Sequence, residues 1–206
     1  MNRPAHPPIV LPREVPDTSS DMKVVPAPNL PELRSGFSVR LVDLDSSDID
    51  RVAEWMSRPH LLETWEQGWS VERWRDDAAA RLAGDYSRPL IFGIDGVEVG
   101  YAEIYRVARD EVGKVYDVHP YDLGLHIATG EPDYVGRGRA SAFIGALTDG
   151  LLAADPAAQR VVADPDVRNA RMHGALRRNG FVNRGDVDVR PGRRIALFVA
   201  ERATRP

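Results

Sequence analysis

The chain has 206 residues, a formal net charge of −4 at pH 7 and no cysteine. That length suits one domain with an arm and buries a core without staples. The missing cysteines exclude disulfides, thiol nucleophiles, zinc–thiolate sites and iron–sulfur clusters together.

Eight of the 16 prolines fall within the first 31 residues. Proline at that density opposes helix and removes ladder donors, so residues 1–36 read as an extended arm, disordered or laid along the surface of a domain spanning 37–206. Phe37 to Leu41 alternates as a strand. Ser46 or Ser47 is placed to cap a helix to about Arg58, with Ile49, Val52, Ala53 and Met56 on one face. Ser70 caps a second helix through Trp74, Ala78 and Leu82. Residues 90–105 read as two strands joined at Asp95-Gly96, a favoured tight turn. Asp122–Thr129 is a strand, Ala140–Ala153 an amphipathic helix and Arg160–Asp164 a short strand stopped by Pro165. Asp166 is a natural cap for a helix to about Asn179, ended by Gly180. Strands near 181–189 and 193–201 finish a mixed α/β chain.

Charge and hydropathy narrow the function classes. A pI near 5.8 disfavours nucleic acid. No apolar run reaches transmembrane length and the N-terminus lacks the apolar core of a signal peptide, so a cytoplasmic location is expected. All basic residues but Lys23 and Lys114 are arginine, a bias that codon usage explains for most of them.

Four constellations carry chemistry. Val135-Gly136-Arg137-Gly138-Arg139-Ala140 stands between a strand and a helix. Glycines there let backbone N–H groups turn toward an anion, the helix N-terminus favours phosphate, and Arg137 and Arg139 add charge. An ordinary glycine turn explains the same residues, and there is neither a P-loop ending nor a complete dinucleotide fingerprint. His126 shares a strand face with Gly124 and Ala128, small neighbours that leave room over the imidazole. Asp164 ends a strand, at the sheet edge where ligands collect. Metal ligation by His119, Asp122, His126 and Asp164 has no supporting spacing. All four tryptophans lie between Trp55 and Trp74. Trp74 is expected in the core, and the stretch from Trp65 to Trp69 falls between helices as a binding wall.

The glycine loop, with Asn169 and Gly180-Phe181 beyond it, resembles the GNAT N-acyltransferase superfamily. The leading Gln/Arg of that family's loop is Val135, and the tyrosine often found seven residues after the asparagine is Leu176. A closer resemblance, to the siderophore-biosynthesis branch, covers roughly residues 37–200 and is carried by five further segments: Glu54 to His60, Trp65-Glu66, Asp85 to Leu90, Pro120 to His126 and Asp164 to Asn169. That branch holds the mycobactin lysine N-acyltransferases, which the chain matches best, and the aerobactin-type hydroxylysine acetyltransferases. The resemblance implies an acyl-CoA fold whose parallel strands 122–129 and 160–164 splay apart around the pantetheine. The pyrophosphate would sit on the loop, making Val135, Gly136, Arg137, Gly138, Arg139, Ala140 and Asn169 the cofactor-side residues. His126, with Trp65 and Glu103, would meet the substrate, and Asp164 would take a proton.

Elementary chemistry alone reverses the last two roles, because histidine has the better-placed ordinary pKa. A desolvated Asp164 with a raised pKa is the route by which the carboxylate would serve. The expected reaction is direct attack of an amine or hydroxylamine nitrogen on a thioester, with acetyl-CoA, a longer acyl-CoA or an acyl carrier protein as donor and no metal. Freeing a lysine amine of its proton at pH 7 costs about 4.6 kcal/mol, whereas a hydroxylamine is already mostly neutral. Two rivals remain open: an aminoglycoside N-acetyltransferase, with Glu63, Glu66, Asp85 and Glu103 as an acidic pocket, and a non-catalytic acyl-CoA-binding module.

Overall fold

The computed structural model describes residues 11–65 and 67–203. Among these, seven strands form one sheet: β1 Phe37–Leu41, β2 Ser87–Ile94, β3 Val97–Arg106, β4 Leu123–Thr129, β5 Arg160–Ala163, β6 Val182–Arg190 and β7 Arg193–Glu201. Their order is β1-β2-β3-β4-β5-β7-β6, and β4–β5 is the parallel pair. Asp95 (φ 50°) and Gly96 (φ 81°) make the expected tight turn between β2 and β3. Among the described residues no helix is long and apolar enough to cross a membrane.

The pleat sorts the core onto two faces. On one, Leu123, Leu125 and Ile127 of β4 pack with Ile104, Phe143, Leu147, Leu176 and Phe198. This face is covered by helices α5 (Arg139–Ala154) and α6 (Ala170–Arg178), and Phe143 stacks on Phe92 at 4.2 Å. On the other face lie α2 (Asp48–Met56), α3 (Pro59–Trp65) and α4 (Val71–Ala83), whose Trp55, Leu61 and Trp74 pack on Tyr101 and Ala128.

Three local expectations are corrected. The first helix does not run on to Arg58: it closes at Met56, and Pro59 starts α3, because proline's fixed φ suits a helix's first turn. Trp65 therefore ends a helix instead of standing in a loop. Asp166 does not cap the last helix. Its carboxylate is turned back on the Arg168 backbone and guanidinium (both 2.8 Å), while Asn169 accepts from Met172 N at 3.1 Å and α6 starts at Ala170. Ser70 does cap α4, accepting from Arg73 N.

Residues 1–10 of the arm lie outside the described residues. From Leu11 the chain is laid against the sheet. Leu11, Val25 and Ala27 are buried, Val15 N donates to Arg109 O at 2.8 Å and Glu111 N to Arg13 O at 3.0 Å. One helical turn, α1 (Ser20–Lys23), interrupts the extended run. It falls in the proline-free stretch between Pro16 and Pro26, where the argument against helix does not apply.

Candidate active site

The pairing of β4 with β5 covers two positions, Leu123 with Val161 and Gly124 with Val162. Beyond them the strands part, and the gap opens into a cavity of about 830 Å³. Its apolar wall includes Leu125, Ile144, Ala163 and Met172. Its floor lies on the sheet face of Glu103, Tyr105, His126 and Asp164.

His126 projects from the middle of β4. Its Nδ1 is 3.0 Å from Glu103 Oε2 on the neighbouring β3, and its Nε2 is 3.2 Å from Asp164 Oδ1 across the gap. Glu103 accepts from Tyr101 OH at 2.9 Å, and the Arg81 guanidinium lies 3.4 Å from the same oxygen. Burial pushes the Glu103 carboxyl up, but Arg81 and then His126 outweigh it and hold it at about 2. The Nδ1 partner is thus a carboxylate, which can only accept, so Nδ1 carries the proton.

Asp164 is buried. Tyr105 OH donates to its Oδ1 at 3.0 Å; Arg13 Nη2 (2.5 Å) and Arg193 Nη2 (2.7 Å) donate to its Oδ2. Burial alone would raise this carboxyl, but Arg13, then His126 and Arg193, hold it well below the usual carboxylate range. The expectation of a raised pKa at Asp164 is overturned: desolvation is real, but two guanidinium groups accompany it. Near neutral pH Asp164 is a carboxylate stabilised as such, a better partner for a cation than an acceptor for a substrate proton.

The space expected over His126 is also otherwise used. A Cβ at Gly124 would stand 2.2 Å from the Tyr105 ring. The glycine makes room for that phenol, whose ring centroid lies 4.6 Å from the imidazole. Trp65 lines the cavity and meets His126 edge-on at 5.8 Å. Trp69 packs on Trp74 at 4.7 Å instead, and Trp55 and Trp74 are core.

At the rim, Gly136 and Gly138 have φ of 79° and 78° with nothing within 4 Å of a built Cβ. They serve conformation and approach, and Gly138 opens α5. Val135, Gly136, Gly138, Ala140 and Asn169 line the cavity. Arg137 and Arg139 do not: their guanidiniums pair with Asp133 at 3.5 Å and with Asp95. The loop offers backbone N–H groups at a helix N-terminus, a suitable cradle for a pyrophosphate. Leu176 is fully buried in the core, so no phenol stands where the superfamily often has one.

Of the described carboxylates of the aminoglycoside reading, Asp85, unlike Glu63 and Glu103, is not among the residues lining the cavity. Asp85 is drawn to Arg109 and Glu103 is committed to Arg81 and His126. Glu63 lines the cavity, and Glu66 lies outside the described residues. Asp122, a candidate metal ligand on paper, is held by Arg160 (2.7 Å) and Tyr116 (2.8 Å). Sequence reasoning missed Arg13, Tyr105 and Arg193. Gly124 followed two residues later by His126 was the one available hint of a ring between them. For Arg13, 151 positions from Asp164, no local signal exists.

Comparison with known proteins places the chain's sequence and fold. Residues 45–189 match the family model for the acetyltransferase (GNAT) domain. The chain is 38% identical over 193 residues to the lysine N-acyltransferase MbtK of Mycobacterium sp. (strain MCS), covering 94% of this chain and 78% of that one. It is 31% identical to the N(6)-hydroxylysine O-acetyltransferase of Escherichia coli, covering 84% and 54%. The aminoglycoside acetyltransferase AAC(6')-Ib, solved with coenzyme A, superposes with a TM-score of 0.71 at 23% identity, covering 81% of this chain and 95% of that one. That last likeness is one of fold.

Proposed function

Because the chain belongs to the GNAT acetyltransferase family, we propose that it moves an acyl group from acyl-CoA to the side-chain nitrogen of a lysine- or ornithine-type amine or hydroxylamine in siderophore assembly. What supports this most is the facing of His126 and Asp164 across the parted strands, with the glycine loop at the rim of the same cavity. The relatives named for lysine and hydroxylysine point to the acceptor class.

The acceptor nitrogen attacks the thioester carbonyl; a C–N bond forms and the C–S bond breaks. His126 takes the nitrogen's proton at Nε2, the ring position that keeps its lone pair when Nδ1–H faces Glu103. The resulting imidazolium lies between two carboxylates, Glu103 and Asp164, which stabilise it. A thiol with an ordinary pKa of about 8.5 departs as thiolate without a dedicated acid, in keeping with Leu176 in place of tyrosine. Val135, the amides of 136–140 and Asn169 are the donor-side residues, and Trp65 borders the acceptor side. An acyl carrier protein presents the same pantetheine thioester, so it is a second possible donor.

The test is thiol release from acetyl-CoA and long-chain acyl-CoA, with the acyl-carrier form alongside. Lysine, hydroxylysine, hydroxyornithine and kanamycin are the acceptors, and H126A is the control. Turnover on an amino-acid side chain, lost in H126A, is expected. Turnover on kanamycin alone, or full rate in H126A, would refute the proposal.

A further inference from the structure

Arg13 lies outside the matched domain, 113 positions from His126, yet its side chain reaches the cavity floor. Its residue exposure is 8%. Nη2 donates to Asp110 Oδ1 at 3.1 Å and to Asp164 Oδ2 at 2.5 Å, and Nη1 meets His126 Nε2. The guanidinium carbon stands 5.8 Å from the Tyr105 ring centroid. Asp110 is itself fixed by Tyr86 OH and Val112 N, and the backbone of 13–15 pairs with 109–111.

We infer that Arg13 is a positioning residue of the acyl-transfer site, supplied by the N-terminal segment, an assignment that rests on the proposed role of His126 as base. A guanidinium has donors and no acceptor, so opposite Nε2 it demands a lone pair. Glu103 opposite Nδ1 demands a proton. Arg13 and Glu103 specify the same neutral tautomer, the one that keeps its lone pair at Nε2, which an entering amine reaches by displacing Nη1. Once Nε2 gains a proton it can no longer accept from Arg13. Asp164 Oδ1, 3.2 Å away, is then the acceptor, while Nη2 stays anchored on Asp110. Arg13 thus readies the base, and its charge keeps Asp164 available as a carboxylate.

The opposite role, a plug that imitates a cationic acceptor and must leave, fits the geometry less well. Withdrawal would strip Asp110 and Asp164, both buried, of a shared guanidinium, a costly state for buried carboxylates. The groups facing Asp164 are Arg13 from the N-terminal segment, Tyr105 from β3, His126 from β4 and Arg193 from β7. Those facing His126 are Glu103, Tyr105, Trp65, Asp164 and Arg13.

Two measurements test the assignment. The first needs no turnover. Long-range 15N–1H spectra of histidine-labelled protein report the tautomer of His126, with H126Q for identification. The Nδ1–H form is expected; an Nε2–H form overturns the assignment even if no R13 variant folds. The second is acyl transfer by R13Q and R13K. R13Q should lose roughly 10²-fold in kcat, the cost of a misplaced catalytic group, with CoA binding by calorimetry unchanged. The acid limb of its pH–rate profile should move to higher pH, because Asp164 has lost a cation, and R13K should move it back. A folded R13Q with wild-type kcat and profile, or with faster turnover as a plug would give, overturns the inference. Absence of turnover by the wild type on every acceptor would instead count against the acyl-transfer reading, and the spectrum would still decide the contact.

Discussion

Replacing Glu103 by glutamine should do more harm to activity than removing the side chain altogether. The carboxylate has two differently occupied oxygens: Oε1 faces Tyr101 OH and Arg81, and Oε2 faces His126 Nδ1. Arginine only donates, so the amide oxygen of Gln must take the Oε1 position. The amide NH2 then faces Nδ1 and demands a lone pair there, which moves the imidazole proton to Nε2 and removes the base. A forced wrong tautomer costs up to about 10⁴-fold in kcat; E103A, which imposes no tautomer, should lose less. Stability adds a second reading. Glu103 has a folded pKa of about 2 against an ordinary 4.5, worth about 3 kcal/mol at neutral pH. Because the folded pKa is depressed, that stabilisation is complete above the unfolded value and fades as pH falls from about 5 to about 2. Urea unfolding of wild type and E103Q from pH 7 downward should show a gap of about 3 kcal/mol that closes over that window. An E103Q protein as active as E103A or better, or one with a constant gap across the window, would refute the reasoning.

Other outcomes follow from the packing. G124A places a methyl 2.2 Å from the Tyr105 ring; a loss of about 1–3 kcal/mol is expected by thermal unfolding, with reduced turnover because Tyr105 also donates to Asp164. G138A meets no neighbour but sits at φ 78°, so calorimetry should show a cost of roughly 1–2 kcal/mol shared between stability and CoA affinity, with no change in the acceptor KM. L176Y, which restores the superfamily's usual residue, should unfold at lower temperature by overpacking a fully buried site. A rate gain without loss of stability would show that the position opens toward the cavity.

The helices and strands were largely legible because their signals are local: Ser70 before an apolar stripe, Asp95-Gly96 between alternating runs, Pro165 after a short strand. The misreadings were local competitions as well. Asp166 and Asn169 are both good caps, and what separates them is that Arg168 takes the Asp166 carboxylate. His126 and Asp164, which line the cavity, were legible as candidate site residues from their place on strands. Their electrostatics were not, since burial and countercharge push a carboxylate in opposite directions and only geometry says which prevails.

Periodicity and turn chemistry determined, without coordinates, the mixed α/β class and the glycine loop before a helix, because each depends on residues near one another in the chain; the family came from the resemblance of several separate motifs in the same order. The tertiary structure alone decided the state of the site. Glu103, His126, Asp164 and Arg13 come from two neighbouring strands, the end of a third and the N-terminal segment. The proton on the imidazole and the charge on Asp164 are set by contacts between side chains as far apart in sequence as 151 positions, and no rule of spacing reaches across that distance.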